Sequence, residues 1–158
     1  MTELILLRHA HADAAAPGQS DLDRSLSAEG EAEAEAAAQW LREQGFSPDR
    51  VLCSPAQRTR ATCERVMRAL GYADLRDSPQ IYEATPGTLL DLVDAHRDVP
   101  RLMLVGHNPG LERLLALLTS GRSGDARGMP PASIAWLRFD GGQPLEPGAA
   151  ELVRFWFP

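Results

Sequence analysis

Leu4-Ile5-Leu6-Leu7-Arg8-His9 is the stretch on which the reading of this chain turns. An unbroken aliphatic run this short reads as a strand buried on both faces, the kind found in parallel sheets covered by helices. It stops abruptly at a guanidinium and an imidazole. In open α/β sheets, ligands sit outside the carboxyl ends of the strands. The run therefore predicts a site at that edge, in which Arg8 binds a phosphoryl group and His9 attacks it.

Two further runs repeat the pattern. Val51-Leu52-Cys53 is a second short buried strand, and Arg101 to Val105 (RLMLV) is a third. Ser54-Pro55 reads as N-cap and first helical residue. The helix it opens carries Arg58 early, then an apolar stripe of Thr59, Thr62 or Cys63, Val66 and Leu70, and closes at Gly71. The third strand stops at Gly106-His107-Asn108-Pro109-Gly110, and Leu111, Leu114, Leu115 and Leu118 line the helix that follows.

The remaining chain fits the same frame. Ser27 caps a helix running to about Gln44, with Glu29, Glu31, Glu33 and Glu35 crowding its early turns, where the macrodipole favours negative charge. Gly45 ends it. Ile81-Tyr82 reads as a short edge strand, and Thr85-Pro86 starts a helix striped by Leu89, Leu92, Val93 and His96. His96, late in that helix, reads as a cation for its C-terminus. Residues 10–26 and 120–132 are loops. Segments 134–139 and 152–157 alternate like antiparallel strands, with Trp136 and Trp156 as core or sheet-face aromatics. The pattern predicts one domain over 1–158: an α/β fold, a three-layer α/β/α sandwich with a mostly parallel mixed sheet and a C-terminal antiparallel hairpin.

Bulk properties narrow the function. With 16 cations against 22 carboxylates the net charge is −6, which argues against nucleic acid as a partner. All 16 cations are arginine, since the chain has no lysine. Schiff-base chemistry and the P-loop lysine are therefore excluded, and any phosphate must be held by guanidinium forks. Two cysteines, Cys53 and Cys63, are too few for a disulfide framework and read as buried thiols. No signal peptide and no run of transmembrane length is visible, so a cytoplasmic protein without membrane association is expected. No sustained heptad suggests more than a monomer.

If the three strands are parallel neighbours, Arg8, His9, Arg58 and His107 meet at one sheet edge, with two helix N-termini aimed at the same point. That is an anion site, and phosphate or sulfate is expected to occupy it. A neutral histidine can take a phosphoryl group covalently while the second histidine and both arginines stabilise the shifting charge. No metal or other cofactor is expected, because cationic side chains take that part. Arg60, rotated by roughly 200° from Arg58, cannot share its inward direction. His11, Asn108 and Ser54 are candidates for the pocket or its rim. His-x-His at residues 9–11 also raises a metal hydrolase, but 158 residues are too few for the barrel of about 250 that usually carries one. Cys53 to Arg58 has four intervening residues and a proline, which fits a cysteine-phosphatase loop poorly. The same pocket would also serve a phosphate-binding module without turnover, or a mutase, which needs a closed site.

Arg8-His9-Ala10 resembles the RHG motif of the histidine phosphatase superfamily, with Ala in place of the usual Gly. Ser54-Pro55-Ala56-Gln57-Arg58-Thr59-Arg60-Ala61-Thr62 resembles its second motif and Gly106-His107-Asn108 its third. The order and spacing hold across nearly the whole chain, and the pattern is most similar to the SixA-type phosphohistidine phosphatases. The resemblance implies a phosphoglycerate mutase-like fold, with His9 as phospho-acceptor, Arg8 and Arg58 holding phosphate and His107 as the second pocket histidine. Glu83 lies near the stretch that in larger members supplies a general acid. Room for two helices and little else between Arg58 and His107 leaves no capping subdomain. An open site suits phosphohistidine displayed on a partner protein. The alternative is a phosphomonoesterase acting on a small metabolite or on phosphoserine or phosphothreonine.

Overall fold

Leu4, Ile5, Leu6 and Leu7 are all fully buried in β1 (Thr2–Arg8), in a computed structural model that describes residues 1–158. Each such side chain contributes roughly 2 kcal/mol of hydrophobic stabilisation. Successive residues of a strand face opposite ways, and here they feed two cores. Leu4 and Leu6 join Leu52, Leu104, Leu111 and Leu114 on one face. Ile5 and Leu7 join Ala37, Leu41, Val51, Val66 and Val105 on the other. The unbroken run exists because both faces are covered.

The elements follow as α1 (Ala28–Glu43), β2 (Arg50–Cys53), α2 (Gln57–Leu70), β3 (Asp74–Asp77), α3 (Pro86–Ala95), β4 (Arg101–Gly106), α4 (Gly110–Ser120), β5 (Ile134–Phe139) and β6 (Glu151–Trp156). The sheet order is β3-β2-β4-β1-β5-β6. The first four strands are parallel, while β5 runs antiparallel to β1 and β6 antiparallel to β5. Helices α1 and α2 cover one face, α3 and α4 the other, which is the expected sandwich with its terminal hairpin. Trp40 stacks on Trp156 and meets Trp136 edge-on, so the terminal tryptophans belong to the packing under α1.

Register explains why the site residues can meet. Arg8 lies abreast of Gly106, and Cys53 abreast of Val105. The residues that follow each strand therefore leave the sheet at one edge. Gly106 is small for a reason: a Cβ there would stand 2.8 Å from Ile81 Cγ2, closer than packed atoms allow. Gly30, in the first turn of α1, is tighter still, since its Cβ would fall 1.9 Å from the His11 carbonyl oxygen.

Three local expectations are corrected. Ser54 does not cap α2: Ala56 holds that position without a side-chain hydrogen bond, and Ser54 is buried two residues earlier. Ile81-Tyr82 is not a strand. Ile81 ends a single 3-10 turn, Pro79–Ile81, and packs under Gly106. The edge strand is instead β3, Asp-Leu-Arg-Asp, whose exposed, charged residues carry no apolar signal and suit an unpaired sheet edge. His96 is not a cation serving the end of α3. Its Nδ1 accepts from Arg50 Nη1 at 3.0 Å, and burial followed by the Arg50 charge lowers its pKa. Arg50 ties this corner together through paired hydrogen bonds to Asp98 at 2.8 and 3.1 Å and one to Asp74 at 3.2 Å.

Candidate active site

His9 follows β1 directly, and its backbone is pinned on both sides: its N–H donates to Gly106 O at 3.1 Å, and its carbonyl accepts from Ala132 N at 3.0 Å. Its ring Nδ1 lies 2.7 Å from Ala10 O. A carbonyl only accepts, so Nδ1 carries the hydrogen and Nε2 keeps its lone pair. Burial, opposed by that hydrogen bond and helped by the charges of Arg8, Arg58 and Arg24, pushes the His9 pKa down to about 4. His9 is thus a neutral nitrogen base among three guanidinium groups.

His107 arrives from the end of β4, its ring centroid 5.3 Å from that of His9. Its Nε2 lies 2.7 Å from Ser54 Oγ. Ser54 Oγ already accepts from Ala56 N at 3.4 Å, so its hydroxyl hydrogen is available to His107 Nε2. With Ser54 as the donor, the His107 hydrogen sits on Nδ1, which is buried and has no partner. Burial, then the charges of His9 and Arg58, pushes the His107 pKa down to about 3. Replacing Ser54 with Ala releases the tautomer. We expect kcat to fall about tenfold, the worth of one hydrogen bond, and Tm to fall by a few degrees because buried partners lose their hydroxyl; kinetics, a thermal melt and nitrogen NMR of the His107 ring check this.

The two arginines are held from outside the pocket. Arg8 Nη1 donates to Met129 O at 2.9 Å. Arg58, only 6% exposed, donates through Nη1 to Asp21 O at 2.7 Å and through Nη2 to Asp21 Oδ2 at 3.0 Å. The Nε–H of each is buried without a partner. Three buried N–H groups, Arg8 Nε, Arg58 Nε and His107 Nδ1, are therefore unanswered around His9. Each such group costs about 1–3 kcal/mol, and native proteins seldom leave them so without reason. An oxyanion beside His9 Nε2 is the kind of acceptor these donors lack. Arg60 faces outward and pairs with Asp77 at 3.3 Å, so the helical rotation separates the two arginines as expected.

A cleft of about 400 Å³ lies beside this point, reaching Arg58 and His107 but not Arg8 or His9. Arg58, His107, Asn108 and Glu83 all line it. Glu83 is exposed and holds a left-handed backbone, φ 55°. Asn108 turns its amide nitrogen to Met129 O at 2.8 Å and to Glu112 at 3.3 Å, bracing the loop that holds Arg8. His11 is not brought to the cleft. Its exposed ring is 2.7 Å from Ser27 Oγ, at the start of α1. The His-x-His pair is thus split, and no three His, Cys, Asp or Glu side chains converge as a metal-binding set. Cys53 is no nucleophile candidate, because the neighbouring Cys63 thiol and burial push its thiol pKa up.

Asp21 and Tyr82 join the site although sequence reasoning gave neither a role; their stretches, 21–30 and 81–84, resemble those of the SixA-type phosphatases without saying what these two side chains do. The Asp21 carboxylate accepts from Tyr82 OH, Arg24 and Arg58, and these hydrogen bonds hold it well below the usual carboxylate range. The bond to Asp21 pushes the Tyr82 hydroxyl up to about 12. The Tyr82 ring stands edge-on to His107 at 5.6 Å. Asp21 opens a single 3-10 turn, Asp21–Asp23, 37 residues before Arg58, and neither periodicity nor a capping pattern marks it.

Residues 4–95 match the model of the histidine phosphatase superfamily, branch 1. The chain belongs to that superfamily. An uncharacterized protein of Mycobacterium tuberculosis is 37% identical over 132 residues, covering 77% of this chain and 81% of that protein. Among solved structures, an Agrobacterium tumefaciens chain assigned as the phosphohistidine phosphatase SixA is 36% identical with a TM-score of 0.87, covering 99% of this chain and 98% of its own. The protein histidine phosphatase SixA solved with tungstate has a TM-score of 0.86 at 24% identity, covering 99% and 97%, and shares the fold. This histidine phosphatase superfamily member is of SixA type, and a phosphatase. No helix is long and apolar enough to cross a membrane.

Proposed function

We propose that the chain is a metal-independent phosphohistidine phosphatase that takes phosphate from a histidine displayed by a partner protein, through a covalent intermediate on His9. The observation that carries this reading is the set of unpartnered N–H groups on Arg8, Arg58 and His107 around a neutral His9. His9 Nε2 attacks phosphorus, and the bond to the substrate imidazole breaks as the new P–N bond forms; that ring carries a proton on its other nitrogen and so departs as neutral imidazole. The three donors hold the phosphoryl oxygens through both steps, where preorganised donors act most strongly. Water then attacks the His9 adduct and releases inorganic phosphate, returning the electron pair to Nε2.

Leaving-group chemistry favours phosphohistidine. Imidazole, which ordinarily titrates at about 6.5, departs without the strong acid that an alkoxide needs. Between Arg58 and His107 the chain builds the rest of α2, β3, a 3-10 turn, α3 and β4, so none of it is left over as a separate cap. Glu83, which lines the cleft, supports the second reading, a phosphomonoesterase for which it supplies the proton. Phosphate release from a phosphohistidine-bearing carrier and from an aryl phosphate, each with and without a chelator, separates them. The first reading expects the carrier to be turned over far faster, with no loss to chelation. Faster turnover of the ester would overturn it.

The pH dependence follows from the two depressed imidazoles. His9 must be neutral to attack, and its pKa lies at about 4. We expect kcat/KM to hold from pH 7 down to about pH 5 and to fall near pH 4, where an ordinary histidine nucleophile fails near 6.5. Stability moves the same way. Below about 6.5 the unfolded chain protonates both imidazoles while the folded one does not, so stability is lost as pH falls from there toward 4. Denaturant titrations across that range check the sign.

A further inference from the structure

Arg113 is a cation without a structural reason. It projects from the fourth residue of α4, the end where the macrodipole disfavours positive charge. It is exposed, and its guanidinium makes no hydrogen bond, ion pair or aromatic contact; Arg42, Arg68 and Arg122 are equally free, but of these four only Arg113 lines the cleft. Glu112 beside it bonds Asn108 and acts on Arg8, so the nearest acid in sequence is already engaged.

Its position supplies the reason that packing does not. Arg113 lines the same cleft as Arg58 and His107, on the wall built by Pro109 and Gly110. Pro109 and Arg113 are four residues apart, one turn of helix, and so share a face. Asp21, Tyr82 and Glu83 line the same cleft. The cleft, at about 400 Å³, is far larger than a phosphoryl group needs, since a water-sized group takes about 30 Å³. The rest of that space takes the leaving group and what is attached to it. Of the arginines in the cleft, Arg58 is committed to Asp21 and the site beside His9, so Arg113 is the one whose five donors are all unspent.

We propose that Arg113 determines specificity by pairing with a carboxylate side chain that lies beside the phosphorylated histidine of the partner protein. This rests on the phosphohistidine reading above. The guanidinium fork suits a carboxylate held in two hydrogen bonds. Arg113 does not touch the phosphorus centre, so its contribution lies in choosing and seating the substrate.

The test uses the full chain, with Arg113→Ala and Arg113→Glu variants, on synthetic phosphohistidine peptides flanked by Glu, Gln or Lys, with phosphoramidate as a substrate that has no flank. The wild type should favour the Glu-flanked peptide over the Gln-flanked one by roughly tenfold in kcat/KM, the scale of one charge-assisted pair. Arg113→Ala should erase that preference, Arg113→Glu should transfer it to the Lys-flanked peptide, and phosphoramidate turnover should stay within about twofold throughout. Equal losses on peptides and phosphoramidate, or a wild type indifferent to the flank, would overturn the role of Arg113 while leaving the phosphohistidine reading intact. Failure of the wild type to turn over any of the four substrates would overturn that reading itself. Discrimination confined to small phosphoesters that carry a second acid, with peptides unused, would overturn the assignment to a protein substrate.

Discussion

His9→Ala is expected to lower phosphatase turnover by at least about a thousandfold, because it removes the group that takes the phosphoryl. The position admits no substitute. His107, 5.3 Å away between ring centroids, has its Nε2 engaged by Ser54. The Cys53 thiol is held in its neutral form beside Cys63. The fold should survive the change. The His9 ring is held by one hydrogen bond to the next carbonyl, whereas the backbone bonds to Gly106 and Ala132 do not depend on the side chain. Kinetics with a phosphohistidine carrier and a thermal melt check both halves. An enzyme retaining a tenth of its rate would show that another group takes the phosphate.

Arg58→Ala is expected to cost about 10²–10³-fold in kcat, the usual loss when one preorganised donor to a developing oxyanion is removed. It also leaves the Asp21 carboxylate facing the site with only Arg24 and Tyr82 to hold it. A carboxylate there repels phosphate, so KM should rise as well. Arg58→Lys should not restore activity, since an ammonium cannot bond Asp21 through two nitrogens and present a third N–H inward. Arg60→Ala is the control: exposed and paired only with Asp77, it should leave turnover within about twofold. Equal losses from the two alanine variants would contradict the inward assignment of Arg58.

The parts of this molecule that are legible in its sequence are those where a local pattern has a single physical cause. Leu4 to Leu7 and RLMLV announce strands covered on both faces, and the residues after them land at one edge because parallel neighbours in register must end together. Helical rotation allows only one of Arg58 and Arg60 to point inward, and the spacing of the resembled motif picks Arg58. The failures are equally specific. Ser54-Pro55 imitates a helix cap, but tertiary packing draws Ser54 under His107 and starts the helix two residues later. β3 is invisible because a sheet edge needs charge where a core strand needs leucine. Asp21 and Tyr82 come together from segments 61 residues apart, with no periodic pattern linking them. His11 looks like a partner of His9, yet its ring goes to Ser27 at the start of α1.

The most direct measurement is a rapid quench of the full chain during turnover of phosphoramidate, followed by mass spectrometry of its peptides at alkaline pH, where a P–N bond persists. A single phosphoryl group is expected on the peptide containing His9, acid-labile and absent from His9→Ala. Turnover with no phosphorylated peptide, or with phosphate on any other residue at a kinetically competent rate, would contradict nucleophilic attack by His9.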